Sequence, residues 1–191
     1  MSTLLSAHAV GFDNAFGTLF HDIDFSLRKG DRIGLLGDNG SGKSTLLKIL
    51  SGELATSQGS VTQANHCLLA RIEQHLPPQL QQASLLDAVS ALLPQQQQLS
   101  ENWRAAALLS SLGFSLEQQH QSAGTLSGGQ HMRLLLARAH ILQRDLLLLD
   151  EPSYHPDLPT LLWLGQLLNG WIGRFIFVSL DSTVLDQVHT C

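Results

Sequence analysis

The sequence is poor in cysteine and in charged residues, and it lacks any long apolar run. Its 191 residues include two cysteines, Cys67 and Cys191, which predicts a reduced protein without a disulfide framework. No stretch approaches the roughly 18 uninterrupted apolar residues of a membrane span, and the N-terminus lacks the basic start and apolar run of a signal peptide. A net charge of -5 argues against an overall basic surface for nucleic acid, although a local patch stays open. These absences predict a cytoplasmic protein.

The sequence does contain a regular alternation of strand-like and helix-like segments. With 43% hydrophobic residues, the chain is long enough for one domain with a real core and short for two. The alternation predicts an α/β fold in which helices cover both faces of a mostly parallel sheet. In the Gln-rich interval after Pro77, Ser84 is the predicted start of one helix, Ser100 a possible N-cap of the next and Gly113 its stop, while residues 95–98 are interpreted as a solvated loop. The predicted strands are 4–10, 19–27, 31–36, 60–64, 66–72, 146–150 and 174–179, and the predicted helices are 45–50, 84–93, 101–112, 128–142, 160–169 and 183–189.

The segment "GDNGSGKS" at 37–44 connects a predicted strand to a predicted helix and matches the pattern G-x-x-x-x-G-K-S at every required position. Glycines let successive backbone N–H groups converge on an anion, and the helix that follows adds its positive end. We expect Lys43 to contact the β- and γ-phosphates of a nucleotide and Ser44 to ligate Mg²⁺. The predicted phosphate cradle consists of Gly37, Asn39, Gly40, Ser41, Gly42, Lys43, Ser44 and Thr45.

A second motif, "LLLLDEP" at 146–152, has the character of a buried central strand that ends in two carboxylates. Such a strand delivers Asp150 to the carboxyl edge of the sheet, where ligands bind in folds of this class. We expect Asp150 to hold Mg²⁺ together with Ser44, and Glu151 to polarise the attacking water. An ordinary polar strand end is the alternative, and the phosphate loop about a hundred residues upstream favours the catalytic interpretation.

The third motif, "LSGGQ" at 126–130, opens a predicted helix with Ser127 as its N-cap. With the two motifs above, in this order and spacing, the sequence resembles an ATP-binding cassette (ABC) ATPase. The resemblance implies a P-loop NTPase fold with an N-terminal antiparallel β portion and a small helical subdomain at about 76–128, within a single cassette that covers 1–191. It also implies that a second cassette is a partner, because in that family this motif contacts the γ-phosphate of ATP held by the other domain. The residues concerned here are Ser127, Gly128, Gly129 and Gln130.

Two further positions match the family's nucleotide contacts. Gln74, at the end of "LLARIEQ", resembles the glutamine that approaches Mg²⁺ and the attacking water, and a buried amide at a sheet edge is the alternative. Phe16, or else Phe12, is the candidate for the aromatic that stacks on adenine, and core packing is the competing role.

The second half of the chain is similar to the ABC-F class, whose pattern runs D-L-L-L-L-D-E-P-[ST]-N-H-L-D-L and later V-S-H-D. The segment "GDRIGLLGDNGSGKSTLLKILSGEL" also fits a first cassette of that class. ABC-F proteins carry two cassettes on one chain, lack a membrane domain and generally act on ribosomes, so the resemblance implies the ribosome as a partner. It also assigns Asp157 to the loop at the interface between cassettes. The ATPase subunit of a transporter is the alternative.

Three departures from that pattern bear on activity. The expected Asn-His-Leu-Asp reads Tyr154, His155, Pro156 and Asp157, and Pro156 removes an N–H donor. Leu180 stands where the family has a histidine that reaches the γ-phosphate. The chain also stops soon after the last motif, so we expect the final strands and the second cassette to be absent, and the interval from 74 to 126 is short for the helical arm of ABC-F proteins. Two hypotheses follow: an ATPase with impaired turnover, or a module that holds ATP without hydrolysing it.

Overall fold

Two β-sheets form the framework of the protein in the computed structural model, which describes residues 3–28, 31–72, 76–150 and 174–179. The antiparallel sheet contains β1 (Thr3–Asn14), β2 (Gly17–Arg28) and β4 (Gln58–Gln63), in the order β2-β1-β4. The parallel sheet contains β3 (Arg32–Leu36), β5 (Leu69–Ile72), β6 (Leu146–Leu149) and β7 (Arg174–Ser179), in the order β3-β7-β6-β5. The predicted α/β fold, with a mostly parallel sheet and an N-terminal antiparallel portion, is confirmed.

Strand β7 lies between β3 and β6 and runs parallel to both of them. Its register pairs Phe177 with Gly34 on one side and with Leu149 on the other. Ser179, the last residue of β7, pairs with Leu36, the last residue of β3. The prediction that 174–179 lies beside 146–150 is therefore confirmed. The carboxyl ends of these strands meet at one edge, which is the usual place for a ligand in an open α/β sheet.

Helices occupy about half of the remaining described chain. They are α1 (Lys43–Leu50), α2 (Leu85–Ser90), α3 (Gln95–Ser100), α4 (Asn102–Ser111), α5 (Leu116–Gln119) and α6 (Gly128–Ile141). The predicted N-cap of α2 is confirmed, because the Ser84 hydroxyl accepts the N–H of Asp87 at 3.0 Å. Gly113 follows α4 with a left-handed φ of 86°, as expected of a helix stop. In the ranges given above, no helix has the length and apolar character needed to cross a membrane, and the predicted helices 160–169 and 183–189 fall beyond those ranges.

The glutamine run at 95–98 is helical, so the prediction of a solvated loop is wrong. Pro94 occupies the N-cap of α3 with a φ of -52°, which suits the start of a helix, and glutamine is a good helix former. The side-chain amide of Gln98 donates to the carbonyl of Leu93 at 2.9 Å and so ties α3 to the end of α2. Ser100 is therefore the last residue of α3, and Glu101 is the N-cap of α4.

The core lies on both faces of the parallel sheet, and β6 shows this directly. All four of its leucines have 0% exposure. Leu147 and Leu149 belong to one buried cluster together with residues of α2, α4 and α6. Leu146 and Leu148 point to the other face, where they belong to a cluster with α1 and the antiparallel strands. Four consecutive leucines are the expected sequence of a strand that is buried on both faces.

Candidate functional site

The loop at 37–42 connects β3 to α1 and contains two glycines in the left-handed region. Gly40 has a φ of 83° and Gly42 a φ of 92°, values that favour glycine over residues with a side chain. A Cβ on Gly42 would also lie 2.8 Å from side-chain atoms of Leu19 and of Phe20, so strand β2 packs against the loop. Gly42 is therefore needed both for the backbone turn and for this close approach.

Lys43 is the first residue of α1, and its side chain curls back over the loop. The residue is 7% exposed, and its ammonium donates to the carbonyl of Gly37 at 2.7 Å and to that of Asp38 at 2.8 Å. A compact ammonium with three donors is suited to a phosphate oxygen. Because Lys43 is the first residue of α1, its charge adds to the partial positive charge at the N-terminus of that helix.

A small cavity of about 190 Å³ lies against this loop. Its lining contains five of the eight residues predicted to form the phosphate cradle, and it adds one apolar residue from β2. The lining residues are Leu19, Gly40, Gly42, Lys43, Ser44 and Thr45. The other predicted residues, Gly37, Asn39 and Ser41, belong to the same loop and are exposed. Leu19 was missed from the sequence because its place against the loop depends on the packing of β2.

Ser44 and Asp150 meet although 106 residues separate them in the sequence. The Ser44 hydroxyl donates to Oδ1 of Asp150 at 2.8 Å. Asp150 follows β6, is 8% exposed, and donates its own N–H to the carbonyl of Ile72 at 3.1 Å. A hydroxyl and a carboxylate oxygen side by side are the hard oxygen ligands that Mg²⁺ takes in nucleotide sites, where phosphates and waters complete its shell. The donor set therefore fits the predicted metal.

The guanidinium of Arg71, in β5, is a buried cation close to the Asp150 carboxylate. Its guanidinium donates from Nε and Nη2 to the two carboxylate oxygens of Glu53, each at 2.7 Å, and Nη1 lies 3.7 Å from Oδ2 of Asp150. The hydrogen bonds from Arg71 lower the pKa of the Glu53 carboxyl. Sequence reasoning did not single out either residue, although an arginine inside the apolar run "LLARI" is a signal of a buried charge that needs a partner.

The predicted signature segment caps α6, and Ser127 is its N-cap as expected. Gln130 donates its N–H to the Ser127 hydroxyl at 3.4 Å, and the Gln130 side-chain oxygen accepts the N–H of Ser127 at 2.9 Å. This reciprocal arrangement is a capping box. Ser127 and Gly128 are exposed, and no atom lies within 4 Å of the place where a Cβ on Gly128 would be. The beginning of a 14-residue helix is thus open to an approaching anion.

The two candidate aromatic residues lie in different environments. Phe16, in the turn between β1 and β2, is 99% exposed, so it does not pack in the core. Phe12 packs at the edge of a core cluster, and its ring centroid is 6.3 Å from that of Phe20. This contrast favours Phe16 over Phe12 as a residue available for stacking on a base.

Several predicted residues fall beyond the part of the chain that the structure describes. They are Gln74, Glu151, Tyr154, Pro156, Asp157 and Leu180. The strands that lead to three of them are described: Gln74 follows β5, Glu151 follows Asp150 at the end of β6, and Leu180 follows β7. Their roles therefore stay predictions.

Comparison with known proteins identifies relatives by sequence. The ABC transporter family matches residues 20–154. The ATP-binding protein YheS of Escherichia coli (strain K12) is 36% identical over 190 residues, which cover 85% of this chain and 30% of that protein. The ABC transporter ATP-binding protein ARB1 of Saccharomyces cerevisiae is 36% identical over 176 residues, which cover 92% of this chain and 28% of that protein. ABC transporter F family member 2 of Dictyostelium discoideum is 33% identical over 171 residues, or 89% of this chain and 28% of its own length. The chain thus spans less than a third of the length of these relatives.

Solved structures match in fold. A nucleotide-free ATP-binding cassette from an ABC transporter superposes with a TM-score of 0.82 at 19% identity, over 98% of this chain and 85% of that one. The dimeric cassette MJ0796, in a post-hydrolysis state with ADP and Pi, superposes with a TM-score of 0.77 at 20% identity, over 96% of this chain and 91% of that one. The protein has the P-loop NTPase fold and is similar in sequence to ABC-F proteins; it belongs to the ABC transporter family, whose cassettes are nucleotide-binding P-loop ATPases.

Proposed function

We propose that this chain is a cassette that binds MgATP and hydrolyses it slowly, and that it comes from an ABC-F-type protein. The observation that carries the proposal is the contact of Ser44 with Asp150, 2.8 Å between Oγ and Oδ1, next to Lys43 in the sequence of α1. Residues of two distant motifs thereby meet at the start of α1, where Lys43 and Ser44 line the cavity against the loop. Chance glycine-rich turns do not assemble such a set.

Each group in the cradle has a distinct task in ATP binding. Lys43 exchanges its two carbonyl partners for the β- and γ-phosphates, while the loop's N–H groups and the positive end of α1 receive the remaining oxygens. Ser44 and Asp150 would hold Mg²⁺, which supplies charge neutralisation of the phosphates. Phe16, exposed at the β1–β2 turn, is the proposed stacking surface for adenine.

Hydrolysis requires groups from two cassettes in this proposal, and the second cassette comes from another chain or from a downstream half of the same protein. Glu151 polarises the attacking water, Gln74 approaches the water and the metal, and the exposed start of α6 at Ser127 contacts the γ-phosphate of a partner cassette. Gly128, Gly129 and Gln130 belong to the same surface, and Asp157 lies at the interface between cassettes. The dimeric cassette of the related solved structure supports such a pair.

We propose that turnover is impaired by three residues. Leu180 offers no hydrogen bond where the family has a histidine. Tyr154 is bulkier than the expected asparagine, and Pro156 removes a backbone donor in the same loop. Binding of ATP depends on other residues and is retained.

We further propose that 1–191 is one cassette with a helical subdomain at about 76–128. Helices α2 to α5 lie within that interval and share a core with α6, which supports the assignment. The similarity to ABC-F proteins favours a first cassette, a ribosomal partner and a cytoplasmic location, where ATP and Mg²⁺ are supplied.

Two measurements on the full chain test the proposal. Calorimetric titration with ATP, with Mg²⁺ and with EDTA, should give saturable binding that Mg²⁺ tightens. Phosphate release at saturating ATP should be slow and should vanish in Glu151→Gln, while that variant still binds ATP. If ATP does not bind, the proposal is wrong; if binding persists and release equals that of Glu151→Gln, the chain is a module that holds ATP without hydrolysing it.

A further inference from the structure

The turn between β1 and β2, which contains Phe16, is closed by a side chain of the turn itself. Asn14 pairs with Gly17 at the ends of the two strands, so Ala15 and Phe16 alone connect them. Oδ1 of Asn14 accepts the N–H of Phe16 at 2.8 Å. An asparagine that accepts the N–H two residues further on forms an Asx turn, which restricts the backbone between the two residues. The backbone position of Phe16 is therefore restrained by the Asn14 side chain.

Hydrogen bonds on the neighbouring strands fix the two ends of this turn. Thr18 and Asp13 pair across the strands, and the Thr18 hydroxyl donates to Oδ1 of Asp13 at 2.6 Å. The N–H of Asp13 donates to Oγ of Ser57, which precedes β4, at 3.0 Å. The hairpin end is thus connected to a third segment of the antiparallel sheet. The restraint by Asn14 acts on a turn whose ends are already held.

Packing does not hold Phe16, because this residue is 99% exposed. The hydrogen bonds of the turn therefore decide where its backbone lies. Leu19, three residues further along the chain, lines the cavity at the loop 37–42. Since a strand rises about 3.3 Å per residue, Phe16 lies about 10 Å from Leu19 along β2. A nucleotide whose phosphates occupy the loop can span that distance with its base.

We infer that Asn14 is a positioning residue for the nucleotide base, because it holds Phe16 in place for stacking before the nucleotide binds. This inference rests on the proposed stacking of adenine on Phe16. Without the hydrogen bond from Phe16 to Asn14, the turn samples more backbone conformations, and binding of the base must then select one of them. The phosphates bind at the loop 37–42 in either case. Loss of Asn14 should therefore weaken the binding of a ligand only if that ligand has a base.

The experiment compares two ligands by calorimetric titration of the full chain in excess Mg²⁺: ATP, and inorganic tripolyphosphate, which has the phosphates without the base. Asn14→Ala should weaken ATP binding by about threefold to fivefold, and by no more than Phe16→Ala does. The same variant should bind tripolyphosphate within about twofold of the parent. Equal losses for both ligands would show general damage to the fold and would overturn the inference.

A double-variant cycle tests whether Asn14 acts through Phe16. In the Phe16→Ala background, Asn14→Ala should cause no further loss of ATP affinity, because no ring is left to position. Losses that add in the double variant would show that the two residues act independently, and the inference would then be wrong.

Asp31→Ala is the matched control, since it removes the same kind of hydrogen bond at the other end of β2. Oδ2 of Asp31 accepts the N–H of Arg28 at 2.7 Å. This variant should bind both ligands as the parent does, and a loss equal to that of Asn14→Ala would overturn the inference.

Two conservative variants test the hydrogen bond itself. Asn14→Asp keeps an acceptor oxygen and should bind ATP within about twofold of the parent at about 0.15 M salt, which screens the added charge. A loss as large as that of Asn14→Ala would exclude the hydrogen bond as the cause. Asn14→Ser, whose hydroxyl accepts more weakly in such turns, should show a smaller loss that is confined to ATP, and it replaces Asn14→Ala if that variant does not fold.

The results separate this inference from the proposed function. A parent chain that binds neither ligand overturns the ATP site and this inference with it. Unchanged ATP affinity in Phe16→Ala overturns the stacking role, and again this inference with it. A loss in Phe16→Ala together with unchanged ATP affinity in Asn14→Ala overturns the inference alone.

Discussion

The hydroxyl of Ser44 lies 2.8 Å from Oδ1 of Asp150, so the start of α1 and the end of β6 share a hydrogen bond. Ser44 is the last residue of the motif at 37–44, while Asp150 follows a strand whose four leucines are fully buried. The buried strand before Asp150 therefore fixes one proposed ligand of Mg²⁺, and the helix fixes the other, Ser44. The proposed metal site thus depends on two separate motifs of one sequence.

Removing either ligand should abolish the effect of Mg²⁺ on ATP binding. Ser44→Ala and Asp150→Asn should bind ATP in EDTA about as the parent does, and each should lose the tightening by Mg²⁺, which we expect to be about tenfold or more from the scale of contacts to charged groups. Ser111→Ala removes a serine hydroxyl from the end of α4 and is the control. Full Mg²⁺ tightening in Asp150→Asn would show that this carboxylate is not a ligand.

Alanine substitutions at Phe16 and Phe12 should affect different quantities, the first the affinity for ATP and the second the melting temperature. Because Phe16 is 99% exposed, Phe16→Ala should leave the melting temperature unchanged and weaken ATP binding by roughly 1 kcal/mol, the scale of one aromatic contact. Phe12→Ala, which removes a ring that packs on Phe20, should lower the melting temperature and keep the affinity. The stacking role is wrong if Phe16→Ala binds ATP as tightly as the parent.

The exposed start of α6 should contact ATP that is bound to the phosphate loop of the partner cassette. Gly128→Asp fits the open space at that position and places a negative charge where the γ-phosphate would approach. Lys43→Ala alone and Gly128→Asp alone should release no phosphate, whereas their mixture should recover part of the parent rate, because one intact site combines a cradle and a signature from different chains. A mixture as inactive as its two components would contradict the head-to-tail pair.

Leu180 should limit turnover more than it limits binding. Leu180→His, made alone and with Tyr154→Asn and Pro156→Leu, should raise kcat by a factor on the order of 10² to 10³, the effect of one preorganised donor in other enzymes. The affinity for ATP should change little, because the cradle supplies most ground-state contacts. The measurement is phosphate release at saturating ATP. If both variants bind ATP and dimerise yet release phosphate no faster than the parent, Leu180 is not the limiting residue.

The parts of the fold that could be predicted are those that local sequence determines. Ser84 and Ser127 cap helices as expected, and the apolar run of β6 forms a strand buried on both faces. The glutamine run at 95–98 was misread because its composition suggested a loop, while Pro94 and the helix propensity of glutamine start α3.

The glycine-rich turn between β3 and α1 was predictable because its glycines and lysine form a local pattern. The Glu53–Arg71 pair was not predictable, since 18 residues separate Glu53, which follows α1, from Arg71 in β5. Leu19 was missed for the same reason, because its contact with Gly42 arises from the packing of one sheet on a loop. Tertiary contacts of this kind leave little trace in a single sequence.

The affinity for ATP of Lys43→Ala, compared with that of Lys48→Ala, tests the central claim most directly. Both residues lie in α1, but Lys43 is 7% exposed and held over the loop, whereas Lys48 is exposed in the last turn. Calorimetric titration should show that Lys43→Ala weakens ATP binding by about 1.5–3 kcal/mol, the scale of hydrogen bonds to charged groups, while Lys48→Ala binds as the parent does. Unchanged affinity in a folded Lys43→Ala variant would contradict the assignment of this loop as the ATP site.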